Sequence, residues 1–273
     1  MHGQSARGRL RALGLRPTKR LSQSFLDDAG VAAAIVKAAA LQPSEEVLEV
    51  GPGLGVLTER LRQAAKRVVA VEIDPDLATA LRVEFNGANV VVHTADVLKI
   101  EPSSFFEAPF VVVANLPYHI TSPALRHLLA AGPPFASRLV VMVQAEVAAR
   151  IAAEPGEMSS LAVAIQAQAR VRIVRRVPAA AFFPRPKVDS AVLLIEPLPD
   201  QERAIPRNEL AEFVALVQAG FKQPRKKLMN SLAEGLGTPK QDALARLVKT
   251  DIDPARRPQE LAVTDWVRLY RST

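Results

Sequence analysis

The 273-residue sequence contains no cysteine and no apolar run long enough to cross a bilayer. The lack of cysteine excludes disulfide bonds, thiolate metal sites and cysteine nucleophiles, and it suits a reducing compartment. The first residues do not form the charged, apolar and small-residue pattern of a signal peptide. We therefore expect a cytoplasmic protein that has no membrane partner and binds no metal.

Acidic residues are absent from two basic stretches of the chain. Residues 1–20 contain six Lys and Arg residues and no Asp or Glu, and residues 170–187 contain another six. The last segment, residues 200–273, carries a net charge of +3, whereas residues 21–199 carry −2. Such asymmetry predicts a polyanionic partner that is bound by salt-sensitive phosphate contacts. The alternative is a solvated face that only aids solubility, as most charge runs are.

Short apolar runs alternate with amphipathic patterns over the first two-thirds of the chain. Strands are predicted at Val47–Val50, Arg67–Ile73, Asn89–His93, Phe110–Ala114 and Arg138–Val143, and helices at Asp28–Leu41, Gly55–Ala65, Pro75–Glu84 and Ser122–Ala131. This alternation predicts an α/β fold with a parallel sheet that is covered on both faces. Two later runs, Ala169–Val177 and Val188–Glu196, have no helix between them, and we expect them to form an antiparallel pair.

Prolines at positions 197 and 199 mark the end of the α/β pattern. The remaining pattern is helical throughout, with helices predicted at Asn208–Ala219, Arg225–Leu236, Pro239–Leu247 and Val263–Arg271. We therefore divide the chain into a basic N-terminal arm (1–20), an α/β domain (21–198) and a small all-helical domain (199–273).

A four-residue motif directly after the fourth predicted strand carries the strongest chemical signal. Its residues are Asn115, Leu116, Pro117 and Tyr118. The proline stops any helix or strand, so an amide, carbonyl groups and a ring lie at the carboxyl end of a strand, where open α/β sheets bind ligands. The Asn oxygen and a carbonyl can accept the N–H groups of a planar base while the ring stacks on it. The alternative is a simple strand-ending turn, and the motif alone does not choose between the two.

A glycine-rich turn, Glu49–Gly55, joins the first predicted strand to a helix. Its third glycine comes one position too early for the Gly-x-Gly-x-x-Gly pattern of a dinucleotide site. Two acids follow at the ends of the next strands: Glu72 can bind both ribose hydroxyls, and Asp96 can accept from an adenine amine. S-Adenosylmethionine, which has no pyrophosphate, fits this pattern better than NAD. The acids of Asp74–Asp76 are assigned to a helix start, with proline at its first position.

The chain resembles the KsgA family of small-subunit ribosomal RNA adenine dimethyltransferases along nearly its whole length. The matching segments are Lys19–Leu26, Glu49–Gly55, Val71–Asp74, Asp96, Asn115–Tyr118, Phe182–Ser190, Phe221–Lys227 and Asn230–Leu232. Each motif is modest alone, and their order and spacing make the match specific. The resemblance implies a Rossmann-like, S-adenosylmethionine-dependent methyltransferase sheet with a small C-terminal all-helical domain.

The resemblance also implies the reaction: methyl transfer to N6 of adjacent adenines in 16S ribosomal RNA during ribosome assembly, giving N6,N6-dimethyladenosine. The expected partner is ribosomal RNA in a pre-ribosomal particle, and we expect a monomer. The cofactor is assigned to Ser24, Leu26, Gly51, Gly53, Glu72, Ile73, Asp96, Val97 and Asn115, the reacting base to Asn115, Leu116, Pro117, Tyr118 and Phe182, and RNA to Arg185, Lys187, Arg225, Lys226 and Lys227. Because Phe182 lies in a proline-flanked loop, we expect its ring to be exposed and to stack on the base opposite Tyr118.

Three positions depart from the family pattern. Ser22 and Ser24 stand where the family usually has Gly and Asn, and His119 stands where it often has Asn. The shorter Ser24 side chain puts its cofactor contact in question. His119 is expected to be a spacer or an RNA contact rather than a base.

Four other functions compete with this interpretation. A DNA adenine methyltransferase uses a similar motif, but Leu116 and the helical domain argue against it. A 23S-type resistance dimethyltransferase is disfavoured by the full C-terminal match. A non-catalytic assembly factor stays open, because intact motifs do not separate that role from catalysis. A dehydrogenase ranks last because of the glycine spacing.

Overall fold

The computed structural model describes residues 5–272. The chain forms two compact units: the sheet unit, of residues 1–148 and 172–197, and the helical unit, of residues 149–171 and 198–273. Within the described range, no helix combines the length and the apolar composition that crossing a membrane requires.

The main sheet has seven strands. In chain order the elements are α1 (Ala6–Ala12), β1 (Phe25–Leu26), α2 (Ala29–Ala39), β2 (Glu46–Val50), α3 (Val56–Ala64), β3 (Arg67–Glu72), α4 (Pro75–Glu84), β4 (Val90–Thr94), β5 (Phe110–Asn115), α5 (Thr121–Ala130), β6 (Ala136–Gln144), α6 (Ala145–Ile151), α7 (Ser160–Gln166), β7 (Ala169–Val177), β8 (Phe182–Phe183), β9 (Ser190–Pro197), α8 (Leu210–Gly220), α9 (Leu228–Leu236), α10 (Lys240–Lys249) and α11 (Val263–Arg271). The strand order is β4-β3-β2-β5-β6-β9-β7. The five neighbouring strands β4, β3, β2, β5 and β6 are parallel, and β9 runs antiparallel to β6.

The predicted α/β class is confirmed, and the ends of the predicted strands lie within two residues of the observed ones. The runs at 169–177 and 188–196 are neighbours in the sheet. Helix α6 and the two-residue ladder of β1 with β8 were not predicted. Neither has a signal of its own, because α6 follows β6 without a turn residue and the ladder joins segments far apart in sequence.

The central strands are apolar on both faces because helices cover both sides of the sheet. On one face Val47 of β2 and Val111 and Val113 of β5 are fully buried. They share a core with Ile35 of α2 and Leu61 of α3. This packing fixes the carboxyl ends of the parallel strands, on which the site is built.

Helices α7 to α11 enclose the core of the helical unit. Trp266 of α11, Phe213 of α8 and Val163 of α7 are fully buried in it. A side chain at Gly220 would come within 2.3 Å of Trp266, so close packing requires glycine there. The sequence analysis placed residues 149–171 in the α/β domain. They belong to the helical unit instead, because α7 contributes apolar side chains to this core.

Part of the predicted basic arm forms α1, which packs on the sheet unit. Ala6 and Leu10 are buried in a cluster with Phe25, and Arg9 forms an ion pair with Glu84. The arm also carries four exposed arginines, Arg7, Arg11, Arg16 and Arg20. Residues 1–4 of the predicted arm lie outside the described residues.

Candidate functional site

One cleft in the sheet unit is lined by every residue predicted to bind the cofactor or the reacting base. It lies where β2, β3 and β5 end, and it holds about 1040 Å³ of empty space, including its open mouth. The predicted residues in its lining are Ser24, Leu26, Gly51, Gly53, Glu72, Ile73, Asp96, Val97, Asn115, Leu116, Pro117, Tyr118 and Phe182.

Glycines form the turn between β2 and α3. Gly51, Gly53 and Gly55 all have positive φ, of 68°, 58° and 75°. A Cβ on Gly53 would lie 3.1 Å from the Phe25 ring, and one on Gly55 would lie 2.9 Å from Leu81. Because side chains strain this backbone and the neighbours leave little space, the turn requires glycine. Bare backbone therefore lines this side of the cleft.

Glu72, the last residue of β3, holds the turn in place. Its Oε2 accepts from the Gly53 N–H and its Oε1 from the Asp74 N–H, both at 3.0 Å. Burial raises the pKa of Glu72, against these backbone donors, which lower it. Each carboxylate oxygen still has lone-pair capacity. The same group can therefore accept two hydroxyl protons from a ligand.

The end of β4 adds a second acid beside an apolar surface. Asp96 caps the short helix Val97–Lys99 by accepting from the Leu98 N–H at 3.0 Å. This cap uses Oδ1, and Oδ2 lies 4.0 Å from the Lys99 ammonium group. Ile73 also lines the cleft and is 46% exposed, which is unusual for an isoleucine. An exposed aliphatic surface near a carboxylate can hold a flat ring that carries an amine.

The assignment of Asp74–Asp76 to a helix start is confirmed. Asp74 is the N-cap of α4, and its Oδ1 accepts from the backbone N–H groups of Asp76 and Leu77. Pro75 occupies the first helical position, where its missing N–H costs nothing.

The motif at the end of β5 presents two acceptors. The Asn115 Nδ2 donates to the Ser24 carbonyl at 3.4 Å, and no donor within the described chain binds its Oδ1. The Pro117 carbonyl accepts from the Ile120 N–H at 3.1 Å. The Leu116 carbonyl has no such backbone partner among residues 5–272, and the Leu116 side chain is buried. The available pair of acceptors is therefore Asn115 Oδ1 and Leu116 O.

The two predicted stacking rings are held differently. Tyr118 is half-buried, and its hydroxyl lies 2.8 Å from the Ser190 Oγ. Burial raises the pKa of Tyr118, so its phenol stays neutral well above physiological pH. The expected exposure of Phe182 is wrong: it is 5% exposed. It pairs with Leu26 in the β1–β8 ladder and belongs to the core, although it also lines the cleft.

The structure describes the backbone of Ser22 and the side chain of Ser24, the two serines that depart from the family pattern. Ser22 has a φ of 50°, a conformation that glycine adopts without strain. The Ser24 hydroxyl donates to the Pro184 carbonyl at 2.6 Å. Its side chain thus binds the Phe182–Ser190 loop, while its backbone carbonyl orients Asn115.

Gln23 lines the cleft but was not named as a site residue in the sequence analysis. Its Oε1 accepts from the Thr18 N–H, and its Nε2 donates to Asp74 Oδ2, both at 2.7 Å. Gln23 thereby ties the N-terminal segment to the capping residue beside Glu72. Its position inside the matched Lys19–Leu26 segment was an available signal.

Glu49 was also missed. It is 1% exposed on β2, and neither carboxyl oxygen has a hydrogen-bond partner in the described part of the chain. Burial raises the pKa of Glu49 to about 8, and the Glu72 charge adds to the effect; the Thr58 hydroxyl is near enough to oppose the shift but forms no hydrogen bond with either carboxyl oxygen. An acid in an otherwise apolar strand was the signal for an unusual environment.

The predicted RNA-binding residues are distributed over both units. Arg185 and Lys187 are exposed in the sheet unit, and Arg225, Lys226 and Lys227 are exposed in the turn before α9 of the helical unit. All five side chains are accessible to solvent. Across residues 5–272, no cluster of three or more His, Asp or Glu side chains is arranged to hold a metal ion.

Known proteins are similar to this chain over most of its length. A family described as ribosomal RNA adenine dimethylase matches residues 14–273. A ribosomal RNA small subunit methyltransferase A from Dehalococcoides mccartyi is 42% identical over 264 residues, which cover 93% of this chain and 88% of that protein.

Two solved structures resemble it closely. The 23S rRNA methyltransferase ErmE matches with a TM-score of 0.72 and 30% identity, over 91% of this chain and 98% of that one. A dimethyladenosine transferase from Plasmodium falciparum matches with a TM-score of 0.73 and 26% identity, over 90% and 95%. The matches extend through both units, so they exceed a shared sheet architecture. The chain belongs to the ribosomal RNA adenine dimethylase family.

Proposed function

We propose that this protein transfers methyl groups from S-adenosylmethionine to N6 of adjacent adenines in small-subunit ribosomal RNA, giving N6,N6-dimethyladenosine. One observation carries the proposal: Asn115, Leu116 and Tyr118 all line the cleft that contains the glycine turn, and neither Asn115 Oδ1 nor Leu116 O accepts a hydrogen bond from residues 5–272. The substrate is the RNA of a pre-ribosomal particle in the cytoplasm, and the protein acts as a monomer.

The lining of the cleft fits S-adenosylmethionine. Gly51 and Gly53 present bare backbone to the cleft, and Glu72 has capacity for both ribose hydroxyls. Ile73 offers an apolar surface for the adenine ring, and Asp96 can accept from its amine. When bound, the cofactor supplies a methyl group that is activated by the positive charge on its sulfur.

Asn115 and Leu116 orient the reacting amine. An adenine amine is a poor nucleophile because its lone pair is delocalised into the ring. Two acceptors that bind both of its N–H groups favour a geometry in which the lone pair points out of the ring plane. Where such alignment is good, it lowers a barrier by on the order of 7–11 kcal/mol.

No strong base is needed, because the amine becomes acidic as its nitrogen gains a substituent. His119, which is exposed, is absent from the cleft lining. Tyr118 supplies the ring that stacks on the extruded adenine, as in other enzymes that act on unstacked bases. Phe182 also lines the cleft.

Two relatives suggest competing substrates. The relative with 42% identity is named for the small ribosomal subunit, whereas ErmE, at 30% identity, is a 23S rRNA enzyme. The higher identity over 93% of the chain favours the small-subunit substrate. A non-catalytic assembly role is compatible with the same fold and needs an activity test.

The direct test supplies labelled S-adenosylmethionine with four substrates: naked 16S RNA, partly assembled small subunits, 23S RNA and large subunits. We expect labelled dimethyladenosine in the small-subunit material, with partly assembled particles the better substrate. Label in 23S RNA alone would instead identify the protein as a 23S-type resistance dimethyltransferase. Binding to particles without any transfer would favour the assembly role.

A further inference from the structure

Ser190 is a fully buried serine whose hydroxyl contacts the site. It is the first residue of β9, with 0% exposure. Its Oγ lies 2.8 Å from the Tyr118 hydroxyl, and this is its side-chain hydrogen bond within residues 5–272. An alanine would fill this buried position without the cost of burying a hydroxyl. The serine therefore calls for an explanation beyond packing.

The backbone around Ser190 is held on two sides. In the sheet, Ser190 pairs with Gln144 of β6. The preceding residue, Asp189, accepts from the Ala145 N–H through its carbonyl and from the Ala179 N–H through Oδ1, at 2.9 and 2.8 Å. The Oγ of Ser190 is thus a rigid point in the sheet unit.

Tyr118, in contrast, lies in a short 3₁₀ turn that follows the Asn115 strand end. Its ring is half-buried at the cleft, and rotation about two side-chain bonds could swing it away from a bound base. A hydrogen bond at the hydroxyl fixes the far end of the ring and so selects one ring orientation. The phenol remains neutral because burial raises the pKa of Tyr118, so the hydroxyl can both donate and accept.

We propose that Ser190 is a positioning residue for the target base: its hydroxyl holds the Tyr118 ring in the orientation that stacks on the adenine beside Asn115. This inference rests on the proposed function, because it takes the stacked group to be a nucleobase. It links two matched segments, Asn115–Tyr118 and Phe182–Ser190, through a single contact. Ser190 does not line the cleft and has no direct role towards the cofactor.

The test is a double-mutant cycle with Ser190→Ala and Tyr118→Phe. Each change removes one hydroxyl and keeps the ring. We expect kcat/KM for small-subunit RNA to fall by about three- to tenfold in either variant, the usual worth of one hydrogen bond. The double variant should be no worse than the weaker single variant. Affinity for S-adenosylmethionine, measured by calorimetry without RNA, should stay within about twofold of the wild-type value.

Ser103→Ala is the matched control. Ser103 is also a buried serine, and its hydroxyl donates to Glu101 at 2.8 Å, but it does not line the cleft. If the two variants lose the same thermal stability, Ser103→Ala should reduce RNA methylation less than Ser190→Ala does. Ser190→Cys keeps the volume and most of the packing, so it replaces Ser190→Ala if that variant does not fold, with the same expected loss.

Three results would overturn the inference. The first is a fall in kcat/KM of the double variant that equals the product of the two single falls, which would show that the hydroxyls act independently. The second is normal kcat/KM in Tyr118→Phe. The third is an equal fall in RNA methylation and cofactor affinity in the Ser190 variants, the sign of a purely structural defect. If the wild-type protein methylates no RNA, the proposed function fails instead.

Discussion

Two glutamates on one strand show how strongly the local environment decides the behaviour of a residue. Glu46 and Glu49 both belong to β2. Burial acts on Glu46, but hydrogen bonds from Arg67 and Lys66 outweigh it and lower the pKa of its carboxyl. No cation among the described residues forms an ion pair with Glu49, and burial raises its pKa to about 8. At neutral pH the Glu49 carboxyl is mostly protonated in the folded protein.

Glu49→Gln is expected to stabilise the protein at neutral pH. The unfolded carboxyl loses its proton near pH 4.5, whereas the folded one keeps it up to about pH 8, so wild-type stability falls as pH rises between these values. The free energy of unfolding of the glutamine variant should exceed that of the wild-type protein by on the order of 3 kcal/mol near pH 7, and the difference should vanish near pH 4.5. Urea denaturation across this range measures it.

Glu46→Gln is the matched control for this experiment. Its carboxyl has a lowered pKa, so its contribution is present at neutral pH and is lost on acidification. The control should therefore lose a little stability at pH 7 rather than gain it. A Glu49→Gln variant with the same pH dependence as the wild-type protein would contradict a protonated Glu49.

At the scale of elements, helix ends and strand edges show how the sheet unit is built. Helix α2 begins at an Asp28 cap that accepts from the Gly30 and Val31 N–H groups. It ends at Ala40, which has left-handed backbone. At the sheet edge, Arg82 donates to the Val92 carbonyl and to Thr94 of β4, which protects that edge from pairing with another strand.

Ala40→Gly is expected to stabilise the protein by about 1 kcal/mol, because glycine adopts the left-handed conformation without the Cβ clash that alanine suffers. Thermal unfolding should show the gain. Ala33→Gly, at an exposed position inside the same helix, should instead lose about 1 kcal/mol through helix propensity. Equal losses in both variants would contradict the left-handed C-cap.

Sequence periodicity predicted the elements whose residues carry their own pattern. The short apolar runs of β2 and β5, the Asp-Pro-Asp start of α4 and the glycine turn all formed as expected. The β1–β8 ladder was not predictable in this way, since Leu26 and Phe182 pair across a long sequence separation and each strand has two residues. For the same reason the burial of Phe182 was missed. Tertiary packing also decided that α7 joins the helical unit.

Much of the candidate site was predictable because its residues follow strand ends, and parallel strands end at one edge. Glu72, Asp96 and Asn115 belong to this group. Sequence alone could not separate the two candidate carbonyls, at Leu116 and Pro117, because the choice depends on which one a later N–H binds. It also could not show that the Ser24 hydroxyl is engaged by Pro184.

On the scale of the whole molecule, the basic side chains fall into two groups, exposed cations and ion-paired arginines. The described residues include exposed cations in α1, in the loop that contains Arg185 and Lys187, and in the turn before α9. Other arginines are neutralised: Arg170 pairs with Glu202, and Arg268 with Asp265. We expect the exposed cations of the first group to bind phosphates and the ion-paired arginines to support the fold.

Replacing Arg225, Lys226 and Lys227 with Gln should weaken RNA binding and reduce its salt dependence. Each phosphate contact contributes about 0.7–0.9 to the slope of log K against log salt, so the slope should fall by about two to three. A control that replaces the ion-paired Arg170, Arg207 and Arg268 should leave the slope nearly unchanged. An unaltered slope in the first variant would place the RNA contact elsewhere.

The most direct measurement is single-turnover methyl transfer to small-subunit particles by Asn115→Ala, with cofactor affinity measured in the same variant. Because the proposed mechanism makes Asn115 Oδ1 one of two acceptors for the adenine amine, we predict a fall in the transfer rate of at least about 100-fold. Cofactor affinity should fall by less than about tenfold, since other residues hold that ligand. A transfer rate near that of the wild-type protein would contradict the account.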